Sequence, residues 1–205
     1  MEKIVPGRGW LFVFEGIDGT GKSTHCKNME AHLNKIGVPV ARFREPTDGI
    51  WGQKIRKVLT HGRVGVTREE ELSWFIEDRR EDVRNNIIPA LNLNKVVLLD
   101  RYYYSTAAYQ GALGLDKDII LRENENFAPI PDRVYIFTAP VEECLSRIEN
   151  SRESRSSFEK LEYLTQVQKI FNSFAGNNIK KIKSIGTIDS IHTQLCEDVH
   201  QLIEL

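Results

Sequence analysis

The sequence has little that would tie it to nucleic acid or to a membrane. Its 28 Lys and Arg residues are matched by 29 Asp and Glu, a formal charge of −1. No basic excess is available to drive phosphate-backbone binding, so nucleic acid is not expected as a partner. Apolar runs are short. The stretch from Trp10 to Phe14 is closed by Glu15, far below the roughly 18 residues of a spanning helix, and no signal-peptide cleavage site follows. No membrane contact and a cytoplasmic location are expected. Cysteine is scarce: Cys26, Cys144 and Cys196 form no C-x-x-C pair and make an odd count. That indicates neither a zinc site nor a disulfide framework, and each reads as a small helix-face residue. Repeats, low-complexity tracts and linkers are missing, which leaves one domain over residues 1–205.

What is present is the balance of a packed globular protein, 40% hydrophobic and 28% charged. The apolar run ending at Phe14 predicts a strand, and Cys26, Met29, Leu33 and Ile36 predict the helix after it, stopped by Gly37. Val38 to Phe43 predicts a second strand, completing a βαβ unit with a parallel sheet. Arg44 to Gly52 reads as loop. Thr67 with Glu70 forms a capping box that opens a long helix with the stripe Leu72, Ile76, Val83, Ile87 and Leu91. Val96 to Leu99, ending in Asp100, predicts a central strand buried on both faces, followed by a helix from about Tyr102 to Leu113. Further strands are expected at Val134 to Phe137 and around Ile179 to Ile185, and Pro140 suits the first position of a helix running to about Asn150. Phe158 to Phe174 and Ile191 to Leu202 carry the last helical stripes. The fold expected is α/β, with a parallel sheet of about five strands between helices.

The sharpest signal is Gly16-Ile17-Asp18-Gly19-Thr20-Gly21-Lys22-Ser23, which fits the phosphate loop G-x-x-x-x-G-K-[ST] and has a strand before it and a helix after it. Backbone N–H groups at such a turn close around phosphate oxygens, Lys22 adds charge at the outer phosphates, and Ser23 offers a hydroxyl to Mg2+. Asp100, at the end of a buried strand, is placed to meet a ligand's metal or to cap the next helix. The guanine-reading N-K-x-D is missing, because Asn94-Lys95 is followed by Val96-Val97. An adenosine phosphate is therefore the expected donor.

A second nucleotide slot is suggested by Arg79, which falls on the apolar stripe of the long helix four residues after Phe75. An aromatic ring beside a multi-donor fork can stack on a base and bond its carbonyl edge. The alternative is a buried ion pair with Glu45 or Asp78. Tyr102, Ser105 and Tyr109 share one helical face, as acceptor-pocket lining or as core and capping residues.

Through FEGIDGTGKST, REPTDG, LSWFIEDRR and DRYYYSTAAYQG, the chain resembles the thymidylate kinase family of P-loop nucleoside monophosphate kinases. The resemblance implies a three-layer P-loop NTPase fold and transfer of phosphate from ATP to dTMP in dTTP synthesis. It implies that Gly16 to Ser23, Thr24 and Arg147 hold ATP, with Arg147 against adenine or else paired with Glu143 or Glu149. It also implies that Asp18, Glu45, Pro46 and Arg56 face dTMP, that Phe75 stacks on thymine and that Arg79 bonds its O4 side. Arg101 would hold the acceptor phosphate beside Ser105, while Tyr109 and Gln110 crowd the sugar. Lys22, Asp18 and Arg101 would be catalytic, and Ser23 and Asp100 would serve Mg2+. The loop has Gly19-Thr20 where one branch of the family places an arginine, so a lid near residues 150–157 would supply it through Arg152 or Arg155. A homodimer with part of the long helix at its interface is also implied. The competing readings are a kinase for another nucleoside monophosphate or a deoxynucleoside, and a P-loop ATP-binding regulator that transfers nothing.

Overall fold

The computed structural model describes residues 7–148 and 156–204. Arg152, Arg155 and most of the expected lid lie outside these residues. Five parallel strands form one sheet: β1 (Trp10–Glu15), β2 (Val40–Arg44), β3 (Val96–Asp100), β4 (Arg133–Thr138) and β5 (Ile179–Lys183), in the order β2-β3-β1-β4-β5.

Alternation along the central strands explains the layers. Leu11 and Val13 of β1, Val97 and Leu99 of β3, and Val134 and Ile136 of β4 pack into one core. Phe12, Phe14, Val96, Leu98, Tyr135 and Phe137 pack into the other. Because side chains alternate with a period of two, each strand feeds both cores and needs no polar face. The second core is closed by α1 (Lys22–Lys35) and α9 (Ile188–Leu202), through residues such as Met29, Leu33, Leu195 and Val199.

The opposite face is covered by α3 (Arg68–Asp82), α4 (Ile88–Asn92), α5 (Tyr103–Ala112) and α8 (Ser156–Ser173). The capping box forms as expected: Glu70 N donates to Thr67 Oγ1 at 3.1 Å and Thr67 N donates to Glu70 Oε2 at 2.9 Å. The long helix is interrupted by a π turn at Val83–Ile87, where Ile88 N reaches Val83 O. Pro89 stands just beyond it. Pro has no N–H to give the preceding turn, and a widened turn accommodates it while Val83 and Ile87 stay buried.

Two helices differ from the sequence expectation. The loop ascribed to Arg44–Gly52 ends earlier, because α2 (Ile50–His61) starts inside it, burying only Gly52, Ile55 and Val58. A further helix, α6 (Lys117–Glu125), is capped by Asp116, whose carboxylate accepts from Asp118 N and Ile119 N. Both have short apolar stripes, too weak to register as periodicity. After β4, Pro140 directly precedes α7 (Val141–Ile148).

Parallel strands put all their C-terminal ends on one edge, and β1 lies where the order reverses, between β3 and β4. This is where open α/β sheets bind ligands. The turn after β1 and the residues after β2 and β3 therefore meet there.

Candidate active site

The turn after β1 is shaped by glycine. Gly16 has φ +134° and a Cβ there would lie 2.5 Å from Phe137 O; at Gly19, φ +85°, it would lie 2.3 Å from Cys144 O. Neither position accepts a side chain. Thr20 Oγ1 donates to Ile17 O at 2.8 Å and pins the loop. Lys22 reaches back over it, with Nζ 3.4 Å from Ile17 O and 3.1 Å from Asp18 Oδ1. Burial, with the nearby Arg101 charge, lowers the Lys22 ammonium to about 8.

Arg101, directly after β3, has φ +76°, a left-handed conformation uncommon outside glycine, held by its N–H donating to Phe14 O at 3.0 Å. Its guanidinium donates to Ser105 Oγ at 3.0 Å and to Asp18 Oδ1. Burial works against ionisation of Asp18, but Arg101 and Lys22 hold its carboxyl well below the usual range. Beneath Arg101 lies Glu15, fully buried, accepting from Tyr102 N at 2.8 Å, Ser105 N at 3.1 Å and the Ser105 hydroxyl. Burial raises its carboxyl to about 7, opposed by the Ser105 hydrogen bond. Glu15 is not among the site residues expected from the sequence, although a carboxylate closing an apolar strand is a visible signal.

Two cavities flank Asp18, which lines both. The first, about 430 Å³, is walled by Asp18 to His25 and by Arg147. Ser184, Gly186, Ile188 and Ile191, from β5 onward, complete it and were not anticipated. Arg147 Nη1 donates to Gly19 O at 3.0 Å, while Nη2 lies 3.5 Å from Glu143 Oε2, so pocket lining and the ion pair coexist. Gly16 and Ile17 do not line this cavity: they pack beneath the loop. Asp100 lines neither cavity. It is buried, with Oδ2 3.9 Å from Arg44 Nε and Oδ1 lacking a partner among the described residues.

The second cavity, about 660 Å³, gathers all the residues expected on the acceptor side: Asp18, Glu45, Pro46, Arg56, Phe75, Arg79, Arg101, Ser105, Tyr109 and Gln110. Arg56 Nη1 donates to Pro46 O at 3.0 Å. Gln110 is buried with Oε1 unpartnered among the described residues. Arg79 does form the ion pair held open as its alternative reading: Nε lies 2.9 Å from Glu45 Oε2, Nη1 donates to Asn124 Oδ1 at 2.6 Å and Nη2 to Thr106 Oγ1 at 3.0 Å. Burial raises the Glu45 carboxyl above its ordinary range, an effect Arg79 opposes. Asp78 is not its partner; it accepts from Thr47 N at 2.8 Å and Thr47 Oγ1 at 2.6 Å. Leu59, Arg63, Glu71 and Tyr163 also wall the cavity and were missed. Arg63 Nε donates to the buried Glu71 Oε2 at 2.6 Å, a pair that no local motif marks.

A parallel α/β sheet carrying a phosphate loop, with two cavities meeting at that loop, defines the class of P-loop nucleotide phosphotransferases. Residues 14–195 match the thymidylate kinase family. Thymidylate kinase of Desulfotalea psychrophila is 46% identical over 198 residues, 96% of this chain and 97% of that protein. Its counterpart from Akkermansia muciniphila is 46% identical over 166 residues, 81% of this chain and 79% of that one. The crystal structure of thymidylate kinase from Ehrlichia chaffeensis superposes with a TM-score of 0.75 at 26% identity, covering 94% of this chain and 99% of that chain. The chain belongs to the thymidylate kinase family.

Proposed function

We propose that this chain transfers the γ-phosphoryl group of ATP to the 5′-phosphate of dTMP, giving ADP and dTDP. One observation carries the reading: Lys22, from the first cavity, and Arg101, from the second, both donate to Asp18 Oδ1 at the wall the cavities share. Two cationic donors converging where the cavities meet suit a phosphoryl group passing between two nucleotides, and a switch that binds one nucleotide has no use for the second cavity. The acceptor oxygen is already anionic and needs no strong base, so positioning and charge neutralisation carry the catalysis.

Each side chain then has a task. The loop from Asp18 to Thr24, with Gly16 and Ile17 beneath it, cradles the ATP phosphates, and Lys22 meets the outer ones. Arg147 lies against the adenine. Arg101, steadied by Ser105, grips the acceptor phosphate, and Asp18 bridges Arg101 and Lys22, offsetting their repulsion until substrates arrive. Phe75 offers its half-exposed ring to thymine. Arg79 has one further N–H on Nη1 for the base carbonyl while Glu45 fixes its fork. Tyr109 and Gln110 close on the sugar. Ser23, exposed in the first cavity, and Asp100, behind it with one buried oxygen unpartnered among the described residues, have the hard oxygen donors that would hold the Mg2+ accompanying ATP. When bound, the ion neutralises charge on the phosphates. Arg152 and Arg155 would close over the donor from the lid.

No helix among the described residues is long and apolar enough to cross a membrane. The family reading adds a cytoplasmic homodimer, with exposed Ile88 and Leu93 at the end of the long helix as apolar surface near the interface. Light scattering on the purified chain reads the dimer. The reaction is read by presenting every ribo- and deoxynucleoside monophosphate, and thymidine, with ATP and Mg2+ while following ADP release. dTMP should turn over fastest; a faster AMP, CMP, GMP or thymidine overturns the substrate, and no ADP release from any acceptor favours the regulator.

A further inference from the structure

On the face of the molecule where α1 packs against α9, three of the protein's five histidines gather around a cysteine. His192, Cys196 and His200 succeed one another at four-residue intervals along α9, which places them on one face. His32 meets them from α1. Ligand-capable atoms of His32, His192 and Cys196 all lie within 4.8 Å of one another. Cys196 Sγ is 3.5 Å from His192 Nε2, and His32 Nε2 is 2.9 Å from His200 Nε2. The rings of His32 and His192 meet edge to face with centroids 5.8 Å apart.

We propose that His32, His192 and Cys196 form a zinc site that staples α1 to α9, with His200 or water in the fourth position. Zn–S and Zn–N bonds of about 2.3 and 2.0–2.1 Å at tetrahedral angles place sulfur and nitrogen about 3.6 Å apart, which the Cys196–His192 contact already matches. The His32 ligand atom already lies within 4.8 Å of the other two, within reach of rotamer adjustment. Burial and the neighbouring imidazoles lower His32, and burial lowers His192, which favours the neutral form that binds metal. Burial, assisted by Glu197, raises Cys196 to about 11, so zinc binding releases that thiol proton to solvent, one per metal. The other charges facing the cluster are Lys35, beside His32, and Asp189, beside His192. A sulfur and imidazole donor set selects zinc over Mg2+, which prefers oxygen, and this separates the site from the one that serves ATP.

The position gives the staple a consequence. α1 opens at Lys22 in the phosphate loop, and Ile188 and Ile191 at the start of α9 wall the ATP-side cavity. A metal joining these helices ties together two sides of that cavity without touching the reacting atoms.

Cobalt is the spectroscopic probe. Metal-stripped full-length protein is titrated with Co2+ in excess Mg2+, which occupies the oxygen sites. One equivalent should produce a thiolate-to-cobalt charge-transfer band and visible bands of tetrahedral intensity, both displaced by Zn2+. Cys196→Ser should abolish the charge-transfer band and His32→Asn should weaken binding tenfold or more. No such band in the wild type, or its survival in Cys196→Ser, overturns the proposal. Should either variant misfold, alkylation of the native wild type decides, with labelling of each cysteine read by peptide mass. One equivalent of Zn2+ should protect Cys196 and raise Tm, reversibly on chelation; unchanged labelling and Tm overturn the site.

Discussion

Arg79 and Glu45 are buried against each other, with the guanidinium of Arg79 turned edge-on to the carboxylate so that Nε and Nη2 both donate to it. The pair joins α3 to the turn after β2, so in the proposed reading one arginine serves the fold and the base pocket together. Removing Arg79 strands a buried carboxylate beside Asp82, which costs about 3 to 5 kcal/mol. Arg79→Ala should therefore lower Tm strongly. Replacing both partners, as Arg79→Met with Glu45→Gln, removes the stranded charge and should recover much of that loss. KM for dTMP should stay raised in the double variant, because the base-edge donor is still missing. Chemical denaturation read with dTMP kinetics separates the roles: recovery of a normal dTMP KM would leave Arg79 with structure alone.

Lys22 yields a pH dependence. Its ammonium is lowered to about 8 in the free protein, by burial first and by Arg101 next. Only the protonated form attracts the outer phosphates, so kcat/KM for ATP should fall as pH rises through about 8. Bound phosphates raise the group again, and kcat should hold to higher pH; kcat/KM reports the free enzyme and kcat the complex. Lys22→Ala should cut turnover by orders of magnitude with an unchanged melting curve. Equal pH profiles for the two parameters, or a fully active Lys22→Ala, would remove Lys22 from the phosphate site.

The sequence made legible what is local. The phosphate loop, the capping box at Thr67 and the doubly buried strands β1 and β3 each declare themselves within a few residues, because backbone geometry and burial impose their requirements there. The residues opposite the base were readable only in part. Phe75 and Arg79 share a helix face, but whether Arg79 pairs with Glu45 depends on the turn after β2 folding onto α3. Arg63, which meets Glu71 of α3, and Ser184 with Gly186 come to the cavities on loops whose course no periodicity marks. The helices α2 and α6 were overlooked because each buries two or three residues. The His32 and His200 contact joins residues 168 positions apart, which no local cysteine or histidine spacing shows.

The lid carries the transition-state charge in the proposed reaction. No arginine stands between Gly16 and Ser23, and Arg101 is engaged with Asp18 and Ser105. An arginine meeting the transferring group is worth about 10³- to 10⁵-fold in rate. Arg152→Ala with Arg155→Ala should lower kcat by at least about 10²-fold while ATP affinity, measured by equilibrium binding, changes little. Near-normal kcat in the double variant would pass the role to Arg147 or Arg101.

Glu15 links the proposed acceptor-phosphate site to stability. Its carboxyl is raised to about 7 from an ordinary value of 4.5, by burial first. The folded protein therefore holds this proton more tightly than the unfolded chain, so Glu15 favours folding most below pH 4.5 and that contribution is lost as pH rises through 7. A difference of this size amounts to about 3 kcal/mol. Glu15→Gln keeps a carbonyl to accept from Tyr102 N and Ser105 N and cannot ionise. The stability gap between variant and wild type should therefore widen in the variant's favour from pH 4.5 to 7 and stay constant above. Because the Gln amide cannot accept from the Ser105 hydroxyl, Ser105 must turn, and its hold on Arg101 loosens. KM for dTMP should rise severalfold while KM for ATP is unchanged. Urea unfolding across that pH range, set beside the two KM values, tests both halves: a pH-independent gap removes the buried-acid assignment, and an unchanged dTMP KM removes Glu15 as the support of Arg101.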